Sequence, residues 1–208
     1  MSAFCSNFAA KKEMIMKVGI YGGSFNPVHW GHKGMIKWVL EHTDLDEVWM
    51  LVSPQSPHKV DRGDLDTNYA ERVAAAREAM KDLTVSGERL AVSGKKVVVS
   101  DFEDGLPRPS YTANTLRELR KAYPEHEFSL IIGEDNWRVF DKWREWEYIL
   151  AEYRVFVYPR RENTDRFADR IQNTDNLGAK NVVFLREAPY FDISSTEIRE
   201  KMQKDLHE

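Results

Sequence analysis

The sequence has little cysteine, no long apolar run and no excess of positive charge. A single cysteine, Cys5, among 208 residues excludes an internal disulfide and a zinc site built from cysteines. No stretch approaches the roughly 18 apolar residues that a membrane-spanning helix needs, so we predict no membrane association. The 30 basic and 34 acidic residues give a net charge of −4 with no basic patch interleaved with aromatic residues, so nucleic acid is not an expected partner. We expect a cytoplasmic protein.

Short β-type runs alternate with helix-type runs along the chain, a pattern that predicts a doubly wound parallel sheet in an α/β fold. Residues 1–15 are predicted to form a flexible N-terminal extension and residues 16–208 a single domain. The predicted strands are 17–21, 47–52, 97–100, 128–132, 154–158 and 181–185. The predicted helices are 32–42, 67 or 68 to 81, 112–123, 137–150 and one that begins near residue 195.

A glycine-containing loop follows the first predicted strand, at the edge of the sheet where doubly wound folds bind ligands. Gly22 and Gly23 allow the backbone to approach a ligand closely, and the start of the next helix offers free N–H groups to a phosphate. The loop has neither the G-x-G-x-x-G spacing nor a G-K-[ST] ending, so a plain dehydrogenase and a P-loop protein are both excluded. It does contain His29 and His32, whose spacing at a helix start can turn both rings to one side.

Three interpretations of this histidine pair are open. One histidine could cap the helix or pack in the core while the other lies on the surface. The pair could bind zinc, which would need further ligands, and the only other central histidine is His58. Donation of hydrogen bonds to phosphate oxygens is the interpretation that best suits a glycine loop at the end of a strand.

A second motif, ISSTEIR at residues 193–199, opens the last predicted helix. Ser194 and Glu197 fit a capping box, which is a purely structural explanation. The hydroxyl groups, the free N–H groups and the Arg199 guanidinium one turn on also make a possible anion site, suited to a polyphosphate.

Together, GGSFNPVHWGH near the start and ISSTEIR near the end resemble the two motifs of nucleotidyltransferases that carry an H-x-G-H element. Such enzymes share a Rossmann-like doubly wound fold with helices on both faces of the sheet, and they release pyrophosphate from a nucleoside triphosphate. Three further segments resemble bacterial nicotinate-mononucleotide adenylyltransferases, and the resemblance extends over residues 17–203. These segments are SPHK at 56–59, PSYTANTL at 109–116, and IIGED at 131–135 followed by Trp143.

The resemblance implies a role for each matching residue. The catalytic positions, which would bind and neutralise phosphate charge, are His29, His32, Lys59 and Arg199. The ATP-binding positions are Gly22, Gly23, Ser24, Phe25, Gly133, Asp135, Ile193, Ser194 and Ser195. The positions for the pyridine acceptor are Trp143, as a stacking ring, with backbone amides near Thr112 and Arg144. Structural alternatives are a solvated Lys59, a core position for Trp143 and a capping role for Asp135.

The implied reaction is transfer of AMP from ATP to the 5′-phosphate of nicotinate mononucleotide, giving deamido-NAD and pyrophosphate without a covalent intermediate. Mg²⁺ would accompany ATP, and no metal site in the protein is predicted. The expected partners are these two small molecules, with a homo-oligomer as a possibility. The alternatives are an adenylyltransferase for nicotinamide mononucleotide or phosphopantetheine, and a non-catalytic nucleotide-binding protein.

Overall fold

The computed structural model describes residues 15–55, 68–83, 95–159 and 181–205. Six strands in these ranges form one parallel sheet in the order β3-β2-β1-β4-β5-β6. This order reverses direction between β1 and β4, as in a Rossmann-like doubly wound sheet, so the predicted fold class is confirmed. The strands are β1 (Lys17–Gly23), β2 (Glu47–Val52), β3 (Lys96–Ser100), β4 (Glu127–Gly133), β5 (Arg154–Tyr158) and β6 (Val182–Phe184).

Helices pack on both faces of the sheet. None of the described helices is long and apolar enough to cross a membrane. The α-helices are α1 (Trp30–His42), α2 (Tyr69–Ala79), α3 (Thr112–Ala122), α4 (Glu134–Trp137), α5 (Trp146–Glu152) and α6 (Ser195–Asp205). Two 3₁₀ helices lie at Phe102–Gly105 and Phe140–Lys142.

The alternation of side chains along β2 divides the core in two. Val48, Met50 and Val52 pack with the apolar residues of α1 and α2 on one face, whereas Trp49 and Leu51 pack with those of α3 on the other. Every residue of β2 is buried, as expected for an inner strand of a sheet that is covered on both sides. The two covered faces fix the carboxyl ends of β1, β2 and β4 at one edge of the sheet.

The interpretation of residues 137–150 as one helix is wrong. The spacing of the aromatic residues favours a helix, but the chain forms α4, a 3₁₀ turn and α5 in succession. Trp143 has an extended backbone, with ψ 144°, and Glu145 adopts a left-handed conformation, with φ 57°. Two such residues cannot continue a helix, and the break brings Trp143 and Arg144 to the carboxyl edge of the sheet.

Candidate active site

A cavity of about 270 Å³ opens at the carboxyl ends of β1, β2 and β4. Its floor is apolar and formed by strand residues, among them Ile20, Leu51 and Leu130. Gly22, Gly23 and Ser24 form the part of its wall that continues from β1, and a β carbon at position 22 would meet no atom within 4 Å. The cavity therefore lies at the switch point of the sheet, where the fold predicts a ligand.

The predicted acceptor residues also line this first cavity. Thr112 is the first residue of α3, so its N–H is among those that an α-helix leaves without an intrahelical partner. Trp143 and Arg144 face the same space, and the Arg144 guanidinium lies 4.9 Å from the centre of the Tyr111 ring. The wall thus offers an aromatic ring, a cation and a helix N-terminus within one cavity.

A second, smaller cavity of about 30 Å³ lies beside the first and shares Tyr21 with it. His29, His32, Gly133 and Ile193 all line it, so four of the residues predicted to bind the nucleotide meet there. Its other lining residues are Gly31, Met35, Tyr158, Pro159 and Phe191. Burial, together with the nearby Tyr21, raises the pKa of the Tyr158 phenol, which donates a hydrogen bond to the Pro189 carbonyl at 2.7 Å.

The two motif histidines are buried and stacked, with ring centres 3.7 Å apart. His29 is the N-cap of α1, and its backbone N–H donates to His32 Nδ1 at 3.2 Å. Because Nδ1 accepts this bond, the proton of a neutral His32 ring is carried by Nε2. The helix start therefore supports both the structural interpretation, since His29 caps it, and the use of His32 as a hydrogen-bond donor.

The C-terminal motif packs directly on the loop that carries the histidines. Ser195 Oγ donates to the Pro27 carbonyl at 2.9 Å, and the Arg199 guanidinium donates to the Asn26 carbonyl and to Thr196 Oγ1. A β carbon on Gly31 would lie 2.7 Å from Ile193 Cγ2, so a glycine is needed at this contact. Residues separated by about 170 positions in the sequence are thereby brought to one site.

The predicted capping box at the start of α6 is also present. Ser194 Oγ accepts a hydrogen bond from the Glu197 N–H at 3.2 Å, and Glu197 Oε2 accepts one from the Ser194 N–H at 3.0 Å. The Ser194 hydroxyl therefore has a structural use in this structure.

Among the described residues, five predicted site residues line neither cavity: Phe25, Asp135, Ser194, Ser195 and Arg199. Asp135 is exposed in the first turn of α4 and lines neither cavity. Phe25 is buried and has a positive φ of 47°. Its ring packs edge-on against the His32 ring, with the ring centres 5.2 Å apart. Lys59 is outside the described residues. The roles assigned to all of the predicted site residues stay predictions.

Sequence reasoning missed one buried cation, Arg72 of α2. Its guanidinium donates to the carbonyl oxygens of Ser24 and, at 2.9 Å, of Ser53, which line the first cavity. The Ser53 N–H in turn donates to the Gly23 carbonyl at 2.9 Å. Arg72 therefore fixes the ends of β1 and β2 relative to each other. In the sequence Arg72 stands beside Val73 and one turn before Ala76, the other two buried residues of this helix, but no clear apolar stripe marks it.

We expect Arg72→Leu to lower the free energy of unfolding by about 2–3 kcal/mol, because two carbonyl groups lose charged hydrogen-bond partners. Chemical denaturation measures this loss. Arg77→Leu on the same helix removes an exposed ion pair with Asp101 and should cost less than about 1 kcal/mol. Equal losses in the two variants would contradict the assigned role of Arg72.

Comparison with known proteins agrees with this geometry. Residues 20–201 match the cytidylyltransferase-like family. A Bacteroides fragilis protein named "Probable nicotinate-nucleotide adenylyltransferase" is 42% identical over 89% of this chain and 82% of its own. A Flavobacterium johnsoniae protein of the same name is 38% identical over 91% of this chain and 88% of its own.

A solved structure of Plasmodium falciparum nicotinic acid mononucleotide adenylyltransferase, complexed with NaAD, has a TM-score of 0.64. It is 19% identical and covers 89% of this chain and 83% of its own, and it shows the shared fold alone. The fold, the paired motifs and the match over residues 20–201 define a nucleotidyltransferase of the cytidylyltransferase-like class. Within that class, the chain belongs to the nicotinate-nucleotide adenylyltransferase family.

Proposed function

We propose that this protein transfers AMP from ATP to the 5′-phosphate of nicotinate mononucleotide, with release of pyrophosphate. The observation that carries the proposal is the pair of adjoining cavities. The predicted phosphate-binding histidines line one and the predicted pyridine-binding residues line the other, and Tyr21 at the end of β1 belongs to both. Two substrates bound in this way would meet at the carboxyl end of β1.

On the nucleotide side, the start of α1 and the start of α6 face one loop. His32 would donate from Nε2 to the α-phosphate, and Arg199 with the backbone of Ser195 would bind the β- and γ-phosphates. Gly133 ends β4 beside this cavity, where its lack of a side chain would leave room for the adenosine. The positive charge and the N–H groups would bind the triphosphate of ATP, and the space beside Gly133 would accommodate its adenosine.

On the acceptor side, the first cavity combines an apolar floor with positive charge at its wall. Lys142 and Arg144 line it and would attract an anionic mononucleotide. Trp143 would stack on the pyridine ring, and the backbone amide of Thr112 would bind the nicotinate carboxylate. Lys59, whose position is predicted from the sequence alone, would neutralise phosphate charge between the two substrates.

For this reaction the protein needs to position the two substrates and to stabilise negative charge. The acceptor phosphate has a second pKa of about 6, so it is largely ionised at pH 7 and attacks without a general base. An oxygen of that phosphate forms a bond to the α-phosphorus of ATP, and the bond from this phosphorus to the bridging oxygen breaks. The electron pair leaves with pyrophosphate, and His32 and Arg199 stabilise the charge that moves onto it.

Mg²⁺ fits this site as a companion of ATP. In the part of the chain that the structure describes, no group of three or more His, Cys, Asp or Glu side chains could hold a metal ion. We propose that phosphate oxygens and water would supply most of its ligands, as is usual for Mg²⁺ with nucleotides, and that it would neutralise triphosphate charge. A cytoplasmic location and a possible homo-oligomer are part of the proposal.

The test is pyrophosphate release by the purified protein with ATP and Mg²⁺. Nicotinate mononucleotide, nicotinamide mononucleotide and phosphopantetheine are compared as acceptors at equal concentration. We expect the nicotinate substrate to be faster by more than about tenfold, which corresponds to roughly 1.4 kcal/mol of transition-state discrimination.

The other outcomes each replace the proposal with a defined alternative. A faster reaction with nicotinamide mononucleotide or phosphopantetheine would reassign the acceptor. ATP binding without pyrophosphate release from any acceptor would favour a non-catalytic nucleotide-binding protein.

A further inference from the structure

Three polar atoms around the first cavity are buried and have no hydrogen-bond partner among the described residues. They are Glu103 Oε2, Ser110 Oγ and Trp143 Nε1, from three different segments of the chain. Buried polar atoms without partners are few in native proteins, and each carries a desolvation cost. All three atoms belong to residues that line one cavity, where a ligand would supply hydrogen-bond partners.

Of the three atoms, Glu103 Oε2 carries the largest desolvation cost, because it belongs to a carboxylate. The Glu103 side chain is only 4% exposed, and it belongs to the 3₁₀ helix Phe102–Gly105 at the cavity wall. One carboxylate oxygen, Oε1, accepts a hydrogen bond of 2.7 Å from Thr115 Oγ1 in α3. The other oxygen, Oε2, is covered from solvent and has no hydrogen-bond partner among the described residues. A carboxylate in this position calls for a hydrogen-bond donor.

We propose that Glu103 determines specificity for a ribose in the acceptor, by accepting a hydrogen bond from one of its hydroxyl groups, with Ser110 as a second contact. This inference rests on the proposed function, because it assumes the same acceptor. At neutral pH nicotinate mononucleotide carries an ionised carboxylate and an ionised phosphate, which accept hydrogen bonds only. Its ribose hydroxyls are its only donors, so one of them must be the partner of Glu103.

The other two atoms fit the same occupant. Trp143 Nε1 can only donate, so it suits an oxygen of the acceptor, whereas Ser110 Oγ can donate or accept. Because Glu103 Oε2 is covered from solvent, the proposal includes a local adjustment of the 3₁₀ helix that exposes this oxygen to the acceptor. Glu103 would thus accept a hydrogen bond from the ribose, while Arg144 and the start of α3 would bind the carboxylate on the pyridine ring.

The experiment compares Glu103→Gln with wild-type protein on nicotinate mononucleotide and on its 2′-deoxy and 3′-deoxy analogues. The glutamine oxygen can still accept from Thr115, while the charged hydrogen bond to the hydroxyl is lost. The preference is the kcat/KM for nicotinate mononucleotide divided by the kcat/KM for a deoxy analogue. For one of the two analogues, we expect this ratio to be about tenfold smaller in Glu103→Gln than in the wild-type protein. The KM for ATP should be unchanged, and calorimetric Kd values for the acceptors should show the same change in preference.

Asp104→Asn is the matched control, since it makes the same charge change one residue on, at an exposed ion pair with Arg108. It should keep the wild-type preference. Ser110→Ala provides a second test if the glutamine variant is unstable, with a loss of preference of a fewfold expected.

Equal preference in wild type and both site variants would overturn the inference while leaving the adenylyl transfer intact. If the wild-type protein neither binds nor converts nicotinate mononucleotide, the proposed function fails, and the role of Glu103 fails with it.

Discussion

Replacement of His32 by alanine is expected to lower kcat for adenylyl transfer by about 10²–10³-fold, the usual cost of removing one fixed donor that stabilises transition-state charge. The His29 N–H binds His32 Nδ1 and so directs the ring and leaves Nε2 as the donor nitrogen. The His29 ring stacks on one side and Phe25 contacts the ring edge-on, so His32 cannot easily turn away. Its donor is therefore already in place before the substrates react.

The effect should appear in kcat more than in the KM for ATP, because charge on the α-phosphate and the leaving group grows toward the transition state. Steady-state kinetics with varied ATP separates the two constants. His42→Ala is the matched control, since this exposed histidine ends the same helix and stacks on Trp38.

Loss of the buried ring can also destabilise the fold, so thermal melts of both variants accompany the kinetics. A folded His32→Ala protein with kcat within threefold of wild type would remove His32 from the catalytic machinery.

The sequence predicts the sheet well because each strand is a short apolar run between breaking residues. The six runs identified from the sequence all correspond to strands, whereas the strand order, with its switch point between β1 and β4, comes from the structure. The structure of residues 137–150 is harder to predict, because the spacing of Trp137, Phe140 and Trp143 along the sequence suits a continuous helix although the segment is broken. What separates the two cases is the left-handed backbone of Glu145, which no side-chain pattern indicates.

The candidate site could be predicted where a motif carries it. The resemblance to nucleotidyltransferases assigns the histidine loop and the ISSTEIR segment to one site, and in the structure the Arg199 bond to Asn26 joins them. Arg72 and Glu103 belong to no motif in the sequence. Their importance comes from burial and from partners on other elements, such as Ser24 for Arg72 and Thr115 for Glu103. Such contacts form only in the folded chain, so the local pattern of residue types in the sequence does not predict them.

Arg199→Ala is the second change for which we expect a large effect, a fall of about 10²-fold in kcat/KM for ATP. The guanidinium has two uses that a single substitution removes together. It donates to the Asn26 carbonyl and so holds α6 against the histidine loop, and it would bind the β- and γ-phosphates with its further N–H groups.

Arg199→Lys separates these uses, because lysine keeps the positive charge but cannot donate in the planar geometry of a guanidinium to a carbonyl and a phosphate at once. We expect it to recover part of the affinity for ATP and little of kcat. Lys201→Ala, an exposed cation two residues on in α6, serves as the control for the loss of charge and should stay within about twofold of wild type.

The measurement is kcat/KM with varied ATP at a fixed, saturating acceptor concentration. If Arg199→Lys matched wild type, the charge alone would account for the role of Arg199, and the contact with Asn26 would be incidental. If Arg199→Ala matched wild type, the C-terminal motif would have only the structural use that its capping box already shows. The expected order, with alanine lowest and lysine between, requires both the charge and the fixed geometry of α6 on the histidine loop.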